Sequence, residues 1–250
     1  MIPALTSHKA LCFDCYGTII DWESNIYDRL QPILTASAAP FTRPDALQAF
    51  VSVEAELQAK HPAMPYTQLL AHVYSALGQR LGLSAQAVAA DSAPAIAFGK
   101  SVGDWTPFAD SAAALGELKK HFRLVVLSNV DRSLFERTRR LVEGPGGFTF
   151  DRTITAQDVG SYKPALANFE YMLNAVGEEF GIKKDEVLVV AQSRMHDHIP
   201  ANALGLHSAW IDREGAAMGH DENASYTYRF NTLGEMAKAV EQELTIHPAS

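Results

Sequence analysis

The hydrophobic pattern of this chain changes period twice. Residues 9–14 climb through Leu11, Cys12 and Phe13 to the lone Asp14, followed closely by Gly17 and Thr18. A short unbroken apolar run closed by turn residues predicts a strand buried on both faces, with Asp14 at its carboxyl end. From about Trp22 to Gly103 the spacing becomes helical. Ile26, Leu30, Ile33 and Leu34 form one stripe, and Leu47, Phe50, Val51 and Leu57 form the next. Pro65 opens a helix through Leu69, Leu70, Val73 and Leu77, and Ser84 caps the helix expected after it. From Trp105 strands and helices alternate. A helix over 110–120 leads to the strand Leu124–Leu127. A helix over 131–142 ends in Gly144-Pro145-Gly146-Gly147, and a short strand near Phe150–Ile154 precedes a helix over 165–180. The strand Val187–Val190, a helix over 198–204, a strand over Ser208–Ile211 and a last helix over 232–244 complete the pattern.

Alternation of this kind predicts an α/β fold with a doubly wound parallel sheet. The helical stretch then reads as an insert that leaves just after the first strand. The expected division is a core of residues 1–20 plus 105–250 and an all-helical domain of residues 21–104, placed to act as a lid. Four segments end at one edge of the sheet, where open α/β folds bind ligands. They supply Asp14 and Thr18, then Ser128 and Asn129, then Lys163, then Gln192, Ser193, Arg194 and Asp197.

Composition narrows the function. With 250 residues and 47% hydrophobic content the chain has enough apolar material for a sizeable core. A net charge of -8 argues against a nucleic-acid partner, since phosphate neutralisation needs clustered Lys and Arg. No apolar run approaches the about 20 residues of a membrane span, and the N-terminus carries no secretory pattern, so a cytoplasmic location is expected. The two cysteines, Cys12 and Cys15, stand three apart on a strand, where they face opposite ways, and read as reduced thiols. His196-Asp197-His198 invites a metal reading, but the simpler expectation is that His198 starts a helix and His196 lines the pocket.

In order and spacing, the four segments resemble the four signature motifs of the haloacid dehalogenase (HAD) superfamily, and the insert matches its helical cap in position. The resemblance implies an aspartate nucleophile at Asp14. In the phosphatase branch a second aspartate two residues on is the general acid, and an acidic pair in the fourth motif holds Mg2+. Here those positions carry Tyr16 and Gln192, and Arg194 adds a cation. Asp14-Cys15-Tyr16-Gly17-Thr18 is instead similar to the pattern of the L-2-haloacid dehalogenases, which need neither feature.

That resemblance implies a metal-independent, cofactor-free hydrolysis of a small 2-haloacid to a 2-hydroxy acid through an aspartyl ester. Asp14 attacks, Lys163 holds it, Thr18 hydrogen-bonds either group, and Asp197 helps activate water. Ser128 and the backbone near Cys15 and Tyr16 take the substrate carboxylate, while Asn129 touches the halide. Gln192 and His196 line the substrate site. The family's halide-cradling cap arginine aligns with Phe50, with Arg43 only loosely nearby, and its usual tyrosine after the motif lysine is Phe169. Arg194 is therefore expected to supply the missing cation. Related enzymes are often dimers. Two other readings stay open: a phosphatase-like hydrolase recovering Mg2+ through Asp14, Asp197 and water, and a non-catalytic binding protein on the same fold.

Overall fold

The computed structural model describes residues 2–37, 41–219 and 221–246. In chain order the main elements begin with strand β1 (Ala10–Phe13) and helices α1 (Trp22–Ala36), α2 (Arg43–Lys60), α3 (Tyr66–Arg80), α4 (Ala93–Lys100) and α5 (Ser111–Lys119). Next come β2 (Arg123–Ser128), α6 (Arg132–Gly146), β3 (Arg152–Thr155), α7 (Ala156–Val159) and α8 (Leu166–Phe180). The chain closes with β4 (Val187–Ala191), a π-helical turn (Arg194–His198), α9 (Ile199–Ala203), β5 (His207–Ile211), β6 (Tyr228–Phe230) and α10 (Leu233–Ile246).

The six strands form one sheet in the order β3-β2-β1-β4-β5-β6, parallel throughout. The chain winds outward from β1 through β2 to β3, then crosses back to lay β4 on the other side of β1. The strand order therefore reverses between β1 and β4. A crevice opens at such a reversal because the two flanking connections leave in opposite directions. Every residue of β1 and β4 is buried. Alternation along the strands sends Leu11, Phe13, Leu124, Val126, Leu188 and Val190 to one face. Ala10, Cys12, Val125, Leu127, Val187 and Val189 go to the other, against Phe169, Met172 and Val176 of α8. The larger core continues from the sheet into α1–α4 through Ile26, Leu30, Leu47, Phe50, Leu69, Val73 and Phe98. Among the described residues no helix is long and apolar enough to cross a membrane.

Local chemistry sets the helix starts. Asp21 caps α1 by accepting from the Ser24 N–H, and Thr42 forms a reciprocal capping box with Asp45 at the start of α2. Several elements differ from the sequence expectation. Ser84 opens only a turn, and the helix that follows starts later, capped by Ser92. Helix α6 runs on through Gly144-Pro145-Gly146 and stops at Gly147, whose φ is +64°. The glycines are used for close packing: a Cβ on Gly146 would sit 2.5 Å from the Ala112 carbonyl oxygen, and one on Gly116 would sit 2.5 Å from that of Gly146. Thus α5 and α6 meet backbone to backbone. Strand β6, only three residues long, was not anticipated.

Candidate active site

The residues after β1 build the floor of the site. The Cys15 carbonyl accepts from the N–H groups of Thr18, Ile19 and Ile20, which folds the chain sharply back on itself. Gly17 makes the bend with φ of +97°, and a Cβ there would meet the Trp22 indole nitrogen at 2.8 Å. The turn points Asp14 into the crevice. Thr18 Oγ1 donates to Asp14 Oδ2 at 2.8 Å, and the Gln192 N–H donates to Thr18 Oγ1 at 2.9 Å. Thr18 therefore ties the turn after β1 to the end of β4.

Lys163 is the centre of the charge arrangement. Its Nζ donates to Asp14 Oδ1 at 2.8 Å and to Asp197 Oδ1 at 2.7 Å, and all three side chains are buried. Burial works against the ammonium, but the two carboxylates outweigh it and hold Lys163 above its ordinary value. Burial pushes Asp197 up to about 7, against the pull of Lys163 and with help from Asp14. Asp197 Oδ2 is buried without a hydrogen-bond partner among the described residues, and so is Ser128 Oγ. Asn129 accepts from the Lys163 N–H at 2.7 Å and donates to the Lys163 carbonyl at 3.0 Å, fixing the segment that carries the lysine.

These groups open on a cavity of about 400 Å³. Asp14, Tyr16, Ser128, Asn129, Lys163, His196 and Asp197 of the sequence-predicted set line it. His196 Nδ1 pairs with Ser193 Oγ at 3.0 Å. Burial, reinforced by Lys163, lowers His196 to about 4, so its imidazole is neutral at neutral pH. Tyr16 Oη pairs with Thr138 Oγ1 at 2.7 Å, its ring sits edge-on to Trp105, and burial raises its phenol well above the ordinary value. Among the described residues the backbone N–H groups of Cys15 and Tyr16 have no hydrogen-bond partner, as a carboxylate-binding pair would need.

Two expected site residues are used elsewhere. Arg194 donates to the Ala224 carbonyl at 2.6 Å and stacks over Trp210 and Tyr226, so it does not supply a cation to the cavity. Gln192 donates to the Met218 carbonyl at 2.7 Å and accepts on its own carbonyl from the Trp210 indole, bracing the loop over the site instead of lining the cavity. The Cys15 side chain is packed in the core, in keeping with the expected use of its backbone alone. Phe50 and Phe169 are core residues. Arg43 lies 3.7 Å from Glu23 outside this cavity. Glu23, in the first turn of α1, accepts from the Ala217 and Met218 N–H groups. His198 turns away from His196, to Ser208 and the Ala191 carbonyl.

The sequence reading missed most of the opposite wall. It consists of Gln48, Val51, Glu54 and Gln58 on α2, with Tyr66 from α3 and Trp22 from α1. Glu54 was legible as a break in the apolar stripe, since it stands four residues after Phe50 and three before Leu57.

The donor set does not suit the Mg2+ of the phosphatase reading. Mg2+ demands several hard oxygen ligands around a cation. Here an ammonium already lies between the two carboxylates, and Gln192 puts a neutral amide where a second charged oxygen would be needed.

The chain matches a family described as haloacid dehalogenase-like hydrolase over residues 8–191. No curated protein matches it in sequence. Among solved structures, it is similar to L-2-haloacid dehalogenase from Xanthobacter autotrophicus, with 20% identity, 97% of this chain and 100% of that chain covered, and a TM-score of 0.73. A defluorinating L-2-haloacid dehalogenase matches with 16% identity, 95% and 98% coverage and a TM-score of 0.73. A HAD hydrolase from Bacillus subtilis bound to magnesium matches with 17% identity, 94% and 99% coverage and a TM-score of 0.68. At these identities the likeness establishes the fold.

Proposed function

Because the chain belongs to the haloacid dehalogenase-like hydrolase family, we propose that it hydrolyses a carbon–halogen bond in a 2-haloacid without a metal ion. The observation that carries this reading is Tyr16. It stands where a phosphate-transferring relative would hold a proton donor, and its buried phenol is bonded to Thr138. A leaving group served by this site must depart without a proton, and halide does.

In this reading an Asp14 oxygen forms a bond to C2 of the substrate while the carbon–halogen bond breaks and its electron pair leaves with the halide. Lys163 and Thr18 each hold one Asp14 oxygen, which aims the nucleophile. Ser128 and the Cys15 and Tyr16 N–H groups receive the substrate carboxylate. Neutral His196 stands beside the departing halide. Ester formation removes the Asp14 charge and leaves Lys163 facing Asp197 alone. Water then adds to Asp14 Cγ and gives a proton to Asp197, whose free Oδ2 and raised pKa suit a base. Cleavage of the acyl–oxygen bond releases the 2-hydroxy acid, inverted at C2, and restores Asp14. The net products are hydroxy acid, halide and a proton. A covalently bound chloropropionic acid in the Xanthobacter autotrophicus enzyme is a precedent on the same fold. Helices α1–α4 serve as the cap that closes the site from water.

The test is halide release from L- and D-2-chloropropionate with EDTA or Mg2+, beside an aryl phosphate. Halide release that survives EDTA and disappears in Asp14→Asn is the expected result. Phosphate release that requires Mg2+ would overturn it.

A further inference from the structure

The α2 wall of the cavity carries a carboxylate that the reaction above does not use. Glu54 is buried, lines the cavity, and has one hydrogen bond, from Tyr66 Oη to Oε1 at 2.6 Å. No cation touches it among the described residues, and burial pushes it up to about 7 with only the Tyr66 hydrogen bond opposing. A buried carboxylate without a cationic partner is costly, so such groups are normally paired. Its setting offers no pair among the described residues. Gln48 and Gln58, on the same helix, also line the cavity.

The charges of the cavity point the same way. Its wall holds Asp14, Asp197 and Glu54 against the single cation Lys163, which is already shared by the first two. A second anionic group on a substrate would meet Glu54 unscreened. The cavity of about 400 Å³ also lies in the range of sites for ligands much larger than a three-carbon acid.

We propose that this cavity takes a substrate with two unlike ends: a carboxylate at the strand-end N–H groups and a positively charged amine seated against Glu54. The proposal rests on the reading of Asp14 as nucleophile for the placement of the carboxylate end. The amine completes the ion pair that Glu54 lacks, with Gln58 accepting a second of its protons. The substrate class is thus an amino-bearing 2-halocarboxylate.

Calorimetry on the full chain tests the subsite apart from the chemistry, using unreactive pairs at pH 8: 4-aminobutanoate against butanoate, and 6-aminohexanoate against hexanoate. At least one amino acid is expected to bind about tenfold more tightly than its alkyl partner. That ratio should fall to about one in Glu54→Gln and persist in Glu54→Asp, which keeps the charge. Circular dichroism confirms that both variants fold. Equal or undetectable binding of the paired probes, or a preference that survives Glu54→Gln, overturns the subsite. Halide release from 2-chloro-6-aminohexanoate and 2-chlorohexanoate then separates the two ideas. A Glu54-dependent binding preference without halide release from either leaves the subsite standing and sinks the dehalogenation reading. Halide release from both with no amine preference does the reverse.

Discussion

Asp197 is the residue whose environment constrains the chemistry most. One oxygen is held by Lys163 and the other has no partner among the described residues, so the group is fixed in place yet able to take a proton. If it is the base for ester hydrolysis, removing its charge should stop the second step and spare the first. Asp197→Asn is expected to slow turnover by about 10² to 10⁴ and to accumulate a covalent adduct, read by intact-protein mass spectrometry after mixing with 2-chloropropionate. A variant that turns over slowly without any adduct would place Asp197 in the first step. Only the ionised form can accept the proton; burial raises the carboxyl, while loss of the Asp14 charge in the ester lets Lys163 pull it down, so the hydrolytic step should fade as pH falls towards the carboxylate range. Stopped-flow decay of the adduct against pH checks the sign. Asp14, Thr18 and Ser128 were legible because they stand at or just after short apolar runs that fix which sheet edge they reach, whereas Lys163, after Gly160-Ser161-Tyr162, and Asp197, after Gln192-Ser193-Arg194-Met195-His196, were placed by the order of the resembling motifs. Arg194 was misplaced for a definite reason. Its position after β4 is set by the strand, but its long side chain is directed by Trp210 and Tyr226, which lie beyond it in sequence and share no pattern with it.

At the scale of elements, α3 lacks a local cap and takes one from across the fold. Pro65 stands at its N-cap position without a side-chain bond, while Asp131, just after β2, accepts from the Tyr66 and Thr67 N–H groups at 2.8 Å each. A carboxylate there satisfies two orphan donors and meets the positive end of the helix. It also joins α3, and with it Tyr66, to the loop that carries Ser128 and Asn129. Asp131→Ala should cost about 1–2 kcal/mol, with Asp131→Asn recovering part of the loss, as measured by urea unfolding. No change in midpoint would mean that water replaces the cap without penalty. Such a cap is invisible in sequence because its two halves are 65 residues apart. The same limit explains other differences in the elements. Ser84 has the chemistry of a cap, but the helix starts at Ala93, after Ser92. The run Gly144-Pro145-Gly146 looks like a terminator, yet α5 can approach α6 only where glycines remove the Cβ atoms. Strand β6 is a three-residue edge strand whose pairing with β5 supplies what its own sequence does not.

For the whole molecule, a cavity enclosed by the sheet edge and α1–α3 forces ionisable groups out of water together, and folding stability inherits their titration. Glu54 is the cleanest case, since no cation among the described residues offsets its burial. Its pKa is 4.5 in the unfolded chain and about 7 in the fold, so the folded state holds the proton more tightly. Its contribution is fully present below pH 4.5 and is lost as pH rises through about 7. The neutral imidazoles of His196 and His198, both lowered to about 4, act oppositely, costing stability as pH falls from 6.5 towards 4. A bare pH profile would mix these effects with those of Lys163 and Asp197, which line the same cavity as Glu54. A difference measurement separates them. Glu54→Gln cannot ionise and keeps an acceptor for the Tyr66 hydroxyl, so its melting temperature should equal or trail that of the parent near pH 5. It should overtake the parent by pH 8, with a swing on the order of 3 kcal/mol. Parallel melting curves at both pH values would mean that Glu54 ionises freely in the fold, as a group reached by solvent would. Adding a bound amine should shrink the swing, because the ion pair would lower the Glu54 pKa towards its unfolded value.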